Sequence, residues 1–455
     1  MKYFEEFEKA GFIKNNKVNW STISKTNFGT TMDVLAKVTE QKTENETKLK
    51  SIHSASLSLG GDRIPCASLR CRIEKVDQLA RFAGLYSDRV YIKNFLGFYA
   101  HDEEELRKDP NEQWRKRLFD DLSVLSYLRP LIEKEIIVPF DVPEYFCPTC
   151  LLEKYTENGR SRFSRELKRV QNIFAKKLKC KLIKDENDIY LEFSSPEYML
   201  NDCPGTISLS NSDARKHAFQ DLLKGLNSRG EVVVPERYLR RMPIKLEEIL
   251  ATNTMKSIVF ELTADNVFGS SFLTENQFHI NILNALTKDL ATEQNNNIAY
   301  QCLTSEVPFV NEVSLKDIFK IRTREEESFV VFRSALNKAI DEYRRQDKLL
   351  TKKIARSIYA DIIKPKLAIL DKKIIEAKKD LRASIYQPVV GLVGAISFGM
   401  FCRIVPTETV ALATAVGAVT SGAKMISAIM KKSDIEKTVR NEEMYFLWKV
   451  RQKKK

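Results

Sequence analysis

Hydrophobic positions recur with a helical period over most of this chain and with a two-residue period in a few short stretches. In MKYFEEFEKAGFI, Phe4, Phe7 and Phe12 predict a short amphipathic helix that ends near Gly11. QKTENETKLK is a solvated polar run, and SLSLGGDRIP reads as a loop turning at Gly60-Gly61. RIEKVDQLARFAGLYSD predicts a helix, and the β-branched and aromatic VYIKNFLGFY predicts a strand. A charged helix follows from Asp102 to Leu118. LSVLSYLRPLIEKEIIVPF then predicts a buried helix running into a short strand, before YFCPTCLLEKY.

Residues 161–180 predict a basic amphipathic helix with Leu167, Val170, Ile173 and Phe174 on one face. CKLIKDENDIYLEF has two β-like runs around a polar turn, a hairpin signal. DARKHAFQDLLKGL predicts a helix, GEVVVP and MKSIVFELTA predict strands, and FHINILNALTKDLATE predicts a helix. SLKDIF opens with a Ser–Asp helix start, and the helical period then persists. Ile363, Leu367, Leu370, Ile374, Ala377 and Leu381 keep a 4-3-4-3-4 spacing across Pro365. That seam is too short for a coiled coil and predicts an amphipathic helix packing within its own domain.

The most distinctive pattern lies near the end. Residues 383–402 carry no charge, and a helix of that length spans ~30 Å, the thickness of a bilayer's hydrocarbon core. After a turn containing Pro406, a second apolar run is interrupted only by Lys424. Gly391, Ala395 and Gly399 repeat at four-residue intervals, as do Ala413, Gly417 and Ser421. Such stripes of small side chains let two helix backbones approach closely, as helices do in lipid. The second run is rich in Ala, Thr and Ser, so a buried hairpin in a protein core has equal standing.

The expected fold is therefore mainly α with an α+β middle region, then a long basic helical arm and a C-terminal apolar helical hairpin. The expected divisions are a mixed, mostly helical domain at 1–160 with a CxxC turn and an α+β domain at 161–330. The basic arm follows at 331–385, the hairpin at 386–432 and a basic tail at 433–455.

Composition fits an ordered protein, with 43% hydrophobic residues in 455. A mean hydropathy of −0.32 is too low for a polytopic membrane protein but tolerates one hairpin. The first residues have neither the long apolar run of a signal peptide nor the Arg-rich character of a transit peptide. Eight cysteines are too sparse for a secreted disulfide scaffold, which points to thiols in a reducing cytosol. The net charge of +13 is concentrated beyond Asp341, where 24 Lys and Arg face 12 Asp and Glu. Lys372, Lys373, Lys378, Lys379 and Arg382 precede the hairpin, and Lys431 and Lys432 follow it. Positive charge on both flanks predicts that both hairpin ends stay in the cytoplasm, attached to the inner face of the cell membrane.

Candidate chemistry is thin. Cys147-Pro-Thr-Cys150 has the spacing of half a tetrahedral zinc site, and Cys66 with Cys71 could supply the other half. A pair of ordinary thiols in a turn explains the motif more simply, and zinc is the one cofactor it suggests. His53, His101, His217 and His279 form no HExxH motif. Glu192 and Glu261 lack the following Lys of a metal nuclease, which leaves Asp185, Glu186 and Asp188 as turn acids. No phosphate loop, dinucleotide fingerprint or nucleophile elbow is present.

With no catalytic motif, the leading expectation is a non-catalytic intracellular protein. A sensor or partner-binding body would extend to about Ile340, and the hairpin would anchor to or insert in an anionic membrane, or self-associate. A bacterial toxin or defence effector has this layout, by analogy of architecture alone. The alternative is a soluble nucleic-acid-binding protein using its basic C-terminal helices. Tyr445, Phe446 and Trp448 are then the nearest aromatics for base stacking, and they suit an interfacial anchor or a core-docking helix equally well.

Overall fold

The structure is a computed structural model that describes residues 4–15, 17–25, 51–63, 66–94, 96, 99, 112–140, 150, 153, 158–185, 188–195, 205–209, 219–239, 245–286, 291–345, 351–386 and 439–453. They form two compact units, Met1–Ser305 and Glu306–Lys455. The described chain is mainly helical with β structure in the first unit, as the periodicity predicts.

The first unit begins with α1 (Glu5–Lys9), the two-residue strands β1 (Ile13–Lys14) and β2 (Lys17–Val18), and α2 (Trp20–Ile23). Phe4, Phe7, Phe12 and Ile23 are buried. Gly11 turns the chain after α1 with a φ of +74°, a left-handed value that a glycine adopts without strain. Next come β3 (Ile52–Ala55), α3 (Leu69–Tyr86), β4 (Arg89–Lys93), α4 (Glu112–Ile132) and β5 (Ile137–Phe140). Trp20 sets its ring edge-on to Phe119 of α4, tying the N-terminal elements to that helix.

Then follow α5 (Gly159–Lys177), β6 (Lys179–Asp185), β7 (Asp188–Ser194), β8 (Gly205–Ser208), β9 (Glu231–Val233) and α6 (Glu236–Leu239). The unit closes with α7 (Leu246–Phe268), β10 (Ser271–Leu273), α8 (Gln277–Leu286) and α9 (Ala291–Gln301).

Strands β10, β3, β4 and β5 form a parallel sheet in that order. On β3, His53 packs against Phe82 and Tyr86 of α3, so this face belongs to α3. Ser54 and its neighbour Tyr91 point to the other face, where Tyr91 stacks on Phe268 of α7 at 3.8 Å. Helices therefore cover both faces, and β3 is the strand from which the winding departs in two directions.

The second sheet is antiparallel, in the order β8-β7-β6-β9. The expected hairpin is present: β6 and β7 pair from Lys179↔Ser194 to Asp185↔Asp188. Leu182 and Leu191 face inward and are buried. They join Val170 and Phe174 of α5, six side chains of α7 and four of α8 in one core.

MKSIVFELTA, expected as a strand, is helical and lies within α7. Its β-branched centre suggests a strand in isolation. Over the longer window, Leu246, Leu250, Ala251, Met255, Ile258 and Leu262 are the buried positions, and their spacing is helical.

The second unit contains a 3₁₀ turn (Pro308–Glu312), α10 (Leu315–Arg324), α11 (Glu326–Arg344), α12 (Thr351–Ser357), a π-helical stretch (Ile358–Ile363), α13 (Lys364–Tyr386) and α14 (Tyr445–Arg451). The expected helix start is real: Ser314 caps α10, its Oγ accepting from the Asp317 N–H at 3.2 Å. Pro365 lacks an N–H, and the π-helical stretch directly before it takes up the altered hydrogen-bond register. Leu370 and Ile374 of the expected seam pack on Val439 and Tyr445 within this unit.

Gly61 has a φ of +87°, and a Cβ there would meet Val76 of α3 at 2.5 Å and Val124 of α4 at 2.9 Å. Gly61→Ala is expected to destabilise the chain by at least ~1–3 kcal/mol through overpacking, read as a lower urea midpoint.

Candidate functional site

In a sheet with helices on both faces, ligands seat in the crevice beyond the carboxyl ends of the strands, where the winding reverses. Here that place lies between β3 and β10. Ser56 donates its backbone N–H to the Leu273 carbonyl at 3.0 Å, joining the two strand exits. The loop after β3 then coils back on itself, with the Leu59 N–H donating to Ser56 Oγ at 3.3 Å and the Gly60 N–H to the Ser56 carbonyl at 2.8 Å. It leans over β4: a Cβ on Gly60 would sit 3.3 Å from Ile92, and Lys93 Nζ bonds Asp62 at 2.9 Å.

The β10 side is equally ordered. Thr274 N–H donates to Asn297 Oδ1 of α9 at 2.6 Å, and Asn276 caps α8 by accepting from the Phe278 N–H at 2.9 Å. Lys75 of α3 reaches Glu275 at 2.8 Å. Tyr300 donates to Gln78 at 3.0 Å, and burial followed by the Glu275 charge holds its hydroxyl far above the ordinary phenol range.

Beneath the β3 loop lies a buried charge network. Asp121 of α4 receives Arg72 at 2.6 Å, Arg63 Nε at 3.2 Å and the Tyr99 hydroxyl at 2.6 Å. Burial, with the Asp121 carboxylate second, raises the Tyr99 pKa well above its usual value, so this hydroxyl remains a donor. Arg72 also donates Nε to the Gly61 carbonyl at 2.7 Å. Neighbouring Asp120 is less enclosed, and desolvation raises its pKa against the opposing pull of Arg63 and Arg72.

At the opposite, amino edge, His53 Nδ1 lies 2.5 Å from Ser87 Oγ. This pair resembles a nucleophile and its base in composition only. Both residues are fully buried, Phe82 and Tyr86 close over the ring, and the Ser87 hydroxyl is also within bonding distance of the Ser51 and Arg89 carbonyls. The arrangement fastens β3 to the turn before β4.

The residues singled out from sequence fall unevenly on this frame. Cys150 is exposed, Cys66 and Cys71 are half-buried, and Cys147 lies outside the described residues. Considering the described residues alone, no group of three His, Cys, Asp or Glu is placed to hold a metal ion. Gly391, Ala395, Gly399, Ala413, Gly417, Ser421, Lys431 and Lys432 lie outside the described residues. Among the described residues, no helix is long and apolar enough to cross a membrane.

The basic arm is partly neutralised by its own unit. Lys373 pairs with Glu442 at 2.6 Å, Lys366 with Glu443, and Arg451 with Asp371. Lys372 has Glu376 only at 3.9 Å, and Lys378, Lys379 and Arg382 lie on the backbone of α13. Tyr445 and Phe446 are 0% exposed, Phe446 packing on Phe329 and Phe332. These two aromatics dock α14 in the core and are not available to stack on bases.

The sheet edge escaped sequence reasoning because β3, IHSA, has no run of β-branched residues. Its usable signal was the combination of a short buried segment, the Gly60-Gly61 turn and a helix behind it. Compared with known proteins, the chain matches no family, and neither a curated protein nor a solved structure is similar to it.

Asp121→Ala is expected to cost ~3–5 kcal/mol, because it strands the buried Arg72 guanidinium, whereas Asp120→Ala should cost far less. Urea unfolding of the two variants checks this. His279 of α8 is buried, its Nδ1 has no hydrogen-bond partner, and burial lowers its pKa to about 4. The unfolded chain, near pH 6.5, binds this proton first, so stability is full above that pH and falls as pH drops toward 4. The loss is on the order of 3 kcal/mol, and His279→Leu should remove that share of the pH dependence.

Proposed function

We propose that this chain is a non-catalytic sensor or partner-binding protein that acts through a membrane-directed C-terminal hairpin. The body, up to about Ile340, takes its ligand or partner at the carboxyl edge between β3 and β10. The hairpin anchors to, or inserts in, the inner face of the cell membrane, with both of its ends in the cytoplasm.

One observation carries this reading. Helix α13 runs through Ala383 to Tyr386, into the charge-free run, and the chain is packed on the same helix again at Val439. The described residues on either side of the apolar stretch thus pack in one small unit. Arg440 fastens the return, pairing with Glu325 at 3.3 Å, and its carbonyl accepts from Ser328 Oγ at 2.9 Å. A rigid base of this kind suits a hairpin delivered into lipid. The polar edge of the parallel sheet, whose described charged groups are paired with one another, favours binding over acid–base chemistry.

Fractionation of cells expressing the full chain tests the proposal. The protein is expected in the membrane pool after high-salt and carbonate washes, and to need detergent for release. Gly391→Leu and Gly417→Leu should preserve partitioning, since they add apolar area, but impair self-association through the small-residue stripes. Ile396→Asp with Val416→Lys should release the protein. A monomer purified without detergent, indifferent to anionic liposomes and destabilised ~1–3 kcal/mol by Gly391→Leu, would place the hairpin in a protein core instead.

A further inference from the structure

We propose that the solvent face of α5 is a sequence-independent binding surface for the phosphate backbone of a double-stranded nucleic acid. The surface lies in the first unit, uses none of the residues of the carboxyl edge and does not depend on the membrane reading.

Charge comes first. Helix α5 holds seven Lys and Arg and one acid, Glu166. Glu166 is buried and holds Arg169 at 2.6 Å, so its charge is spent on that partner. The chain before Asp341 is otherwise close to charge balance, because almost all of the net charge lies beyond that point. Surfaces that are merely solvated intersperse both signs, and this helix does not.

The helical period then sorts the charges. Val170 and Phe174 are buried in the core shared with α7 and α8, and Phe163, Leu167 and Ile173 pack against it. The face opposite Val170 and Phe174 carries Ser161, Arg165, Lys168, Asn172 and Lys176, all exposed. Arg162 and Arg169 flank this stripe. Among the described residues, no carboxylate lies within ion-pair distance of Arg165, Lys168 or Lys176. From Ser161 to Lys176 the stripe runs ~22 Å, about two thirds of a ~34 Å duplex turn.

The start of the helix adds to the same field. Asn158 is left-handed, with a φ of +64°, and its side chain makes no cap. Arg160 and Arg162 occupy the first turn, which holds no acid. Cations there oppose the helix dipole, whose positive end favours an anion. A phosphate bound at that end relieves the conflict.

The chemistry of the face selects the partner. A helix that lies on a membrane buries apolar side chains among the headgroups. Every large apolar side chain of α5 is instead turned to the protein core. Single strands are held by bases stacked on exposed aromatics, and Phe163 and Phe174 are both committed to that core. What remains outside is Arg, Lys, Ser and Asn, the donors that contact phosphate oxygens along a duplex.

The test is binding of the full chain, in nonionic detergent, to short DNA and RNA duplexes of unrelated sequence. Affinity is expected to be equal across sequences and to fall on the order of 100-fold between ~50 and ~200 mM salt, as about four phosphate contacts require. The tighter of the two duplex types identifies the source of the backbone. Arg165→Gln with Lys168→Gln and Lys176→Gln should keep the wild-type urea midpoint, because these side chains are exposed. The same triple change should lower the slope of log affinity against log salt by ~2.7. If it misfolds, Arg165→Gln and Lys176→Gln taken singly should each lower the slope by ~0.9. Lys372→Gln with Lys378→Gln, on the basic arm, is the control. No duplex binding at low salt, binding to anionic liposomes alone, or a slope that follows the arm variant and not the α5 variant would each overturn the proposal.

Discussion

The buried carboxylate of Asp121 is the constraint on which the carboxyl edge of the parallel sheet depends. One charge inside the protein, held by Arg72, Arg63 and Tyr99, ties α4 to three other segments of the chain. A buried ion pair adds little net stability over an apolar substitute, but removing one partner alone is costly. The network therefore acts mainly on geometry. It sets the first turn of α3 against the loop after β3 and places both on α4. Gly61 completes the fit, since no side chain could occupy its position between Val76 and Val124.

This fixed edge gives the parallel sheet a distinctive surface. Lys93 is bonded to Asp62, Lys75 to Glu275, and the Thr274 and Asn276 backbone groups to side chains. Among the described residues, the charged groups named on this edge are paired with one another.

In the second unit, the described chain resumes at Val439 against the same helix, α13, that precedes the apolar run. Helix α14 inserts Tyr445, Phe446, Leu447 and Val450 into the core, and charged pairs on its approach meet acids and bases of α13. Lys366, Lys373 and Arg451 are thus matched locally by acids of the same unit. The surplus left on α13 lies next to the start of the charge-free run, where attraction to an anionic surface would act with apolar insertion rather than in place of it.

How much of this was legible from sequence depended on the range of the interaction. Helices with an apolar face were readable, because burial repeats every three or four residues: α5 buries Val170 and Phe174 of its predicted face, and α13 buries Leu367, Leu370 and Ile374 of its predicted seam. The β6–β7 hairpin was readable because its turn and strands are adjacent. The Ser314 cap was readable because it is local. Strand β3 was not, since His53 and Ser54 are polar and tolerated only because Ser87, the α3 rings and two neighbouring strands enclose them. α7 was misread for the converse reason, a short β-like centre inside a long helix. The carboxyl edge, Asp121's partners, the pairing of β10 with β3 and the docking of Tyr445 and Phe446 required tertiary structure. Each joins residues far apart in the chain, and nothing local in the sequence encodes which of many charged or aromatic residues will meet.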